Sequence, residues 1–372
     1  MATPQDEVQL TPHSSPDSGF GAFHVEDISA LNPKVVKYIP SEGQEPPPKK
    51  EGEYEVDHKI PIETQSDNRV IVEQDIRPAL LWSRIRRIHK EAFSEFLGTF
   101  VLLLFGDGVV AQVVLSNGEK GDYQSISWGW GLGVMLGVYC SGYSGAHINP
   151  AVTFAHCVFR KFPWRKFPIY MIAQVLGAMC ASAVVYGNYI SAIDNYEGYG
   201  VRTVPGYSNT SSAGIFCTYP AEFMTRTGMF FSEFIASAIL MLVIFALKDD
   251  DNIGAGPLTP LALFFLIFGI GACFGWETGY AINLARDFGP RLMSYMLGYG
   301  TNVWKAGNYY FWIPMVAPFF GTTFGGFLYD LLLNDGDTPV NTPWIGLKRL
   351  VPGALTHAKR RRSSHEINGS PV

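Results

Sequence analysis

Between Glu91 and Asn334 the chain carries only 26 Asp, Glu, Lys and Arg in 244 residues, about one in nine. Charged groups are costly in hydrocarbon, so a stretch this poor in charge is built for lipid. The two ends differ: residues 1–90 hold 26 of the 61 charged residues, and residues 335–372 hold nine. A mean hydropathy of only +0.10 hides this division. The pattern excludes a wholly soluble, collagen-like or fully disordered protein. A net charge of −5 provides no basic field for nucleic acid.

A spanning helix needs ~20 mainly apolar residues. Six stretches qualify: Ala92–Leu115, Ile126–Tyr143, Pro168–Tyr189, Met229–Leu247, Pro260–Cys273 with its flanks, and Tyr310–Leu333. Two weakly polar stretches, Asn149–Phe159 and Asn283–Met296, are too short to span. Residues 1–75 read as a disordered tail, polar and proline-bearing. Residues 76–91 form an amphipathic juxtamembrane segment in which Trp82 stands among Arg84, Arg86, Arg87 and Lys90. A tail over 335–372 closes the chain. The clusters Arg84–Lys90, Arg160–Lys166 and Lys348–Arg362 fall on one side of a six-span arrangement, which puts both tails in the cytoplasm. The acidic run after Lys248 falls on the same side, but acidic residues weigh little in this rule.

The lipid-suited region, 92–334, resembles itself. Ser94-Glu95-Phe96-Leu97-Gly98-Thr99 returns as Ser232-Glu233-Phe234-Ile235-Ala236-Ser237, and Asn149-Pro150-Ala151 returns as Asn283-Leu284-Ala285. Ala173–Ala178 is echoed by Ala317–Thr322. Repeats over 92–189 and 228–334 each hold three spans, an odd number, so the second is inverted. The short segments then enter from opposite faces and meet near the midplane, where non-helical backbone is tolerated beside a wet cavity or inside protein. The fold class expected is an all-α membrane protein of six transmembrane helices and two re-entrant half-helices. In both short segments an Asn precedes a helical stretch as an N-cap does. Two opposed dipole ends then disfavour cations and protons, while each Asn amide can donate to a permeating oxygen.

Ser144-Gly145-Ala146-His147-Ile148-Asn149-Pro150-Ala151-Val152-Thr153 and Thr278-Gly279-Tyr280-Ala281-Ile282-Asn283-Leu284-Ala285-Arg286-Asp287-Phe288-Gly289-Pro290-Arg291 resemble the two signature loops of the major intrinsic proteins, the aquaporins and aquaglyceroporins. The likeness covers about residues 84–334 and leans to the glycerol-conducting branch, particularly its fungal members. It implies a pore constriction of Trp130, Gly271, Tyr280 and Arg286. There Gly271 replaces the His usual in water-specific channels and widens the ring. Carbonyls of Gly145, Ala146, His147, Gly279 and Ala281 would form a polar stripe. Asp287 would brace a loop, and Glu95 and Glu233 would accept hydrogen bonds from the re-entrant loops, with proton relay the alternative. Leu284 stands where proline is usual, which puts the geometry of that cap in question. Trp130 is preferred to Trp128 as the pore tryptophan for its Gly-x-Gly-Val context.

The resemblance implies a passive channel for glycerol and small polyols, and for water, in a homotetramer in the plasma membrane. A channel mainly for water or peroxide, or an alternating-access transporter, are the alternatives. No catalytic triad, metal-ligand cluster or phosphate loop stands out in the sequence, so neither an enzyme nor a cofactor is expected. Five cysteines without C-x-x-C spacing read as small apolar packing residues. Asn209 heads a glycosylation sequon in an outside loop, and Ser363 and Ser364 follow a basic run as candidate phosphorylation sites.

Overall fold

The computed structural model describes residues 80–342. Ser363, Ser364 and most of both tails lie outside the described residues. The described regular structure is helical: α1 (Leu81–Ile88), α2 (Lys90–Leu115), α3 (Tyr123–Cys140), α4 (Pro150–Phe159), α5 (Phe167–Glu197), α6 (Arg226–Leu247), α7 (Thr259–Phe274), α8 (Leu284–Ser294), α9 (Asn302–Tyr309) and α10 (Ile313–Leu332). Among the described residues five helical stretches are long and apolar enough to cross a membrane. Helix α3 is not one of the five. Gln124, Ser125, Ser127 and several glycines dilute it, and it packs between α2 and α7.

Local chemistry sets the helix starts. Asp122 and Ser125 form a reciprocal capping box on α3, with Ser125 N donating to Asp122 Oδ1 at 2.9 Å and Asp122 N to Ser125 Oγ at 3.2 Å. Thr225 caps α6 through the amide of Gly228 at 3.1 Å. Prolines occupy the first turns of α4, α5, α7 and α10, where a missing N–H costs nothing.

The two halves pack alike. Helix α2 lies on α5, and α6 on α10. A Cβ built on Gly177 would sit 2.3 Å from the carbonyl oxygen of Phe96, and one on Gly321 would sit 2.3 Å from that of Phe234. Both glycines therefore let two backbones touch, as small residues do at membrane helix contacts. The expected spans agree with the helices to within a few residues except α5, which continues eight residues past Tyr189 to Glu197. Two features had no expectation: the wide turn Tyr295–Tyr299, and α9, whose backbone breaks at Ala306–Asn308.

Candidate functional site

Each re-entrant loop is held from behind by one wholly buried carboxylate. Glu95 accepts from Ser144 Oγ at 2.5 Å, His147 N at 2.9 Å and Ile148 N at 2.7 Å. Glu233 accepts from Thr278 Oγ1 at 2.7 Å, Ala281 N at 2.9 Å and Ile282 N at 2.7 Å. The loops need such an anchor because their backbones are unusual. Ala146, Ile148, Tyr280 and Ile282 all have positive φ, between 38° and 54°, a region costly for residues with a Cβ. Tyr170 Oη donates to the Ser144 carbonyl at 3.0 Å, and Tyr310 Oη to that of Thr278 at 3.3 Å.

The loops deliver two helix N-termini to each other. Asn149 Oδ1 accepts from Ala151 N at 2.9 Å, and Asn283 Oδ1 from Ala285 N at 3.0 Å and Arg286 N at 3.2 Å. Leu284 therefore leaves the second cap intact. Asn149 Nδ2 donates to the Ile282 carbonyl and Asn283 Nδ2 to the Ile148 carbonyl, each at 2.9 Å. This reciprocal pair ties the two caps together. One N–H of each amide is left for another acceptor.

A cavity of about 170 Å³ runs past these caps. Gly145, Ala146, His147 and Asn149 line it with Tyr280, Ala281, Asn283 and Arg286, while Leu102, Val134, Leu240, Ile244, Leu263 and Ile267 form an apolar wall. Trp130 is on the wall, with the Arg286 guanidinium carbon 4.2 Å from its ring centroid. Gly106 admits the indole, since a Cβ there would meet the ring at 2.3 Å. Trp128 is half exposed and packs outward on Phe264 and Phe268 at 5.1 and 4.8 Å. Gly271 and Gly279 are not among the residues that line this cavity. Gly271 opens no space in the wall, because Tyr280 fills it: a Cβ on Gly271 would be 2.8 Å from the Tyr280 hydroxyl. A Cβ on Gly279 would face Thr218.

Arg286 is buried and donates through Nη1 to the Phe216 carbonyl at 3.0 Å. That carbonyl is positioned by the neighbouring pair: Asp287 Oδ1 accepts from Arg291 Nε at 2.8 Å, and Asp287 Oδ2 from Thr218 N at 2.8 Å and Thr218 Oγ1 at 2.6 Å. Arg291 in turn donates to the carbonyls of Thr218 and Val303, each at 2.7 Å. Asp287 thus ties the loop before α6 to α8.

Sequence reasoning passed over several participants. Gln174 Nε2 donates to Glu95 at 2.7 Å, where the second repeat has Pro318. Buried Asp107 takes the Ser182 hydroxyl at 2.7 Å and joins α2 to α5, and a carboxylate in mid-span was a visible signal. Lys248 lines one end of the cavity. Asn209 is exposed in the loop between α5 and α6. Among the described residues no cluster of three His, Cys, Asp or Glu is placed to hold a metal.

Residues 82–329 match the family model for the major intrinsic proteins. The chain is similar to Aquaglyceroporin-9 of Botryotinia fuckeliana, 72% identical over 305 residues, which is 82% of this chain and 65% of that relative's length. It is 77% identical over 271 residues to the probable aquaglyceroporin-2 of Gibberella zeae, covering 73% of this chain and 80% of that one. Among solved structures, the X-ray structure of the aquaglyceroporin from Plasmodium falciparum superposes with a TM-score of 0.58 at 35% identity, covering 66% of this chain and 96% of that one.

Proposed function

Since the chain belongs to the major intrinsic protein family, whose members are membrane channels, we propose that it conducts glycerol and other small polyols passively, with water, and excludes protons and ions. The observation that carries this reading is the two-sided cavity wall beside Trp130 and Arg286. A polyol has a CH-backed face and a hydroxyl face. The apolar wall of Leu240, Ile244, Leu263 and Ile267 suits the first, and the asparagine amides, loop carbonyls and Arg286 suit the second. Two half-helix N-termini and one guanidinium make the narrow region positive, which disfavours cations and protons. Nothing in this chemistry calls for a bond to be made or broken, and the role is transport rather than catalysis.

Trp130, Tyr280 and Arg286 set selectivity in this reading, with Gly271 seating Tyr280. The carbonyls of Gly145, Ala146, His147 and Ala281 carry the hydroxyl relay. The protein works as a homotetramer in the plasma membrane with both tails inside and Asn209 outside. Stopped-flow light scattering on vesicles containing the full chain tests the solute. Glycerol permeability well above the lipid background supports the reading. Water permeability with glycerol at background moves the assignment to a water channel.

A further inference from the structure

Helix α1 has no place in the solute path, yet its composition is sharply divided. At about 100° per residue, Leu81, Trp82, Ile85 and Ile88 fall within an arc of about 120°, with Arg84 and Arg86 each about 40° beyond one of its edges and Arg87 on the far side. The apolar face is bare: Leu81 is 74% exposed, Trp82 57% and Ile88 76%. Among the described residues none of the three arginines has an ion-pair partner. Eight residues make a marginal helix in water, so something must cover the apolar face to hold it.

Its position identifies the cover. His89 alone separates α1 from α2, a helix long and apolar enough to cross the membrane. Trp82 leans on Phe93 of that helix with ring centroids 5.5 Å apart. An amphipathic helix at the foot of a span, apolar on one side and arginine-rich on the other, fits the boundary between acyl chains and anionic headgroups.

The junction also reaches the first pore loop. Lys90 Nζ sits 3.3 Å from the ring centroid of Tyr143. Glu91 accepts from Lys166 Nζ at 2.8 Å, and the one hydroxyl proton of Tyr170 is shared between Glu91 at 3.1 Å and the Ser144 carbonyl at 3.0 Å. Ser144 begins the loop that ends at Asn149. We propose that α1 docks on anionic lipid of the cytoplasmic leaflet, and that docking steadies the inner pore loop through Lys90 and Glu91.

The test uses the full chain in vesicles of phosphatidylcholine alone or with one-fifth phosphatidylserine, followed by hydrogen exchange of the Ile85–Ile88 amides. Each basic residue contributes about 1 kcal/mol at such a surface, so three arginines correspond to protection on the order of a hundredfold greater in the anionic vesicles. High salt and the triple variant Arg84→Gln/Arg86→Gln/Arg87→Gln, which keeps helix propensity, both abolish the gain. Equal protection in the two vesicle types means that another segment or copy covers α1 and overturns the docking. Flux per inserted channel, read with water as well as glycerol so that it does not depend on the solute assigned above, rises twofold or more with phosphatidylserine. Unchanged flux alongside increased protection overturns the link to the pore loop.

Discussion

Replacing Glu233 by Ala removes the acceptor for two backbone amides and the Thr278 hydroxyl. The hydroxyl can rotate to another partner, but the amides of Ala281 and Ile282 are fixed by positive-φ backbone at Tyr280 and Ile282. Each orphaned buried donor costs about 1–3 kcal/mol, so the loss is about 2–6 kcal/mol. Glu233→Gln keeps one acceptor oxygen and turns an NH₂ toward the other donor, so it loses roughly half as much. In a domain of this size about 3 kcal/mol lowers the melting temperature by on the order of 10 °C. Tryptophan fluorescence in detergent reads that shift, with exposed Glu119→Ala as the unaffected control. Glycerol flux per folded channel falls in the same order, Ala below Gln below wild type, because this loop carries Asn283. A Glu233→Ala protein with wild-type melting and wild-type flux would refute the bracing role.

Trp130→Ala changes the ratio of water to glycerol permeability, whereas Trp128→Ala changes melting temperature and leaves the ratio alone; the reverse pattern in equal amounts of folded protein contradicts the assignment. Gly177→Ala and Gly321→Ala each destabilise by about 1–3 kcal/mol through overpacking, and thermal melts should show similar losses for both, as equivalent positions in inverted repeats require. Burial pushes the Cys217 thiol up to about 11, so almost no thiolate is present at pH 7.5, and maleimide with mass mapping finds it unmodified until the protein is unfolded.

The helices and both re-entrant loops were legible because their signals are local. Charge depletion marks the spans, and Asn149 and Asn283 mark where α4 and α8 begin. Glu95 and Glu233 could be paired because the repeat placed them at matching positions. Other features depend on partners far away in the chain. Thr218 meets Asp287 across 69 residues and Arg291 across 73, and nothing near Thr218 announces either contact. The same holds for Gln174 beneath Glu95. Asn188, Asp194 and Asn195 ended the apolar run of α5 while leaving its backbone helical, so composition stopped short of Glu197. Gly271 shows the limit of reading residue size alone: a missing side chain can admit a neighbour, here Tyr280, instead of leaving room for solute.

The claim that one continuous wall, shared by two opposed half-helices, carries solute without coupling is tested most directly by glycerol counter-flow in vesicles containing the protein. Radiolabelled glycerol uptake should rise linearly with its gradient, and preloading with unlabelled glycerol should give no acceleration. Saturation at low concentration together with acceleration from the opposite side would mark alternating access and contradict the channel account.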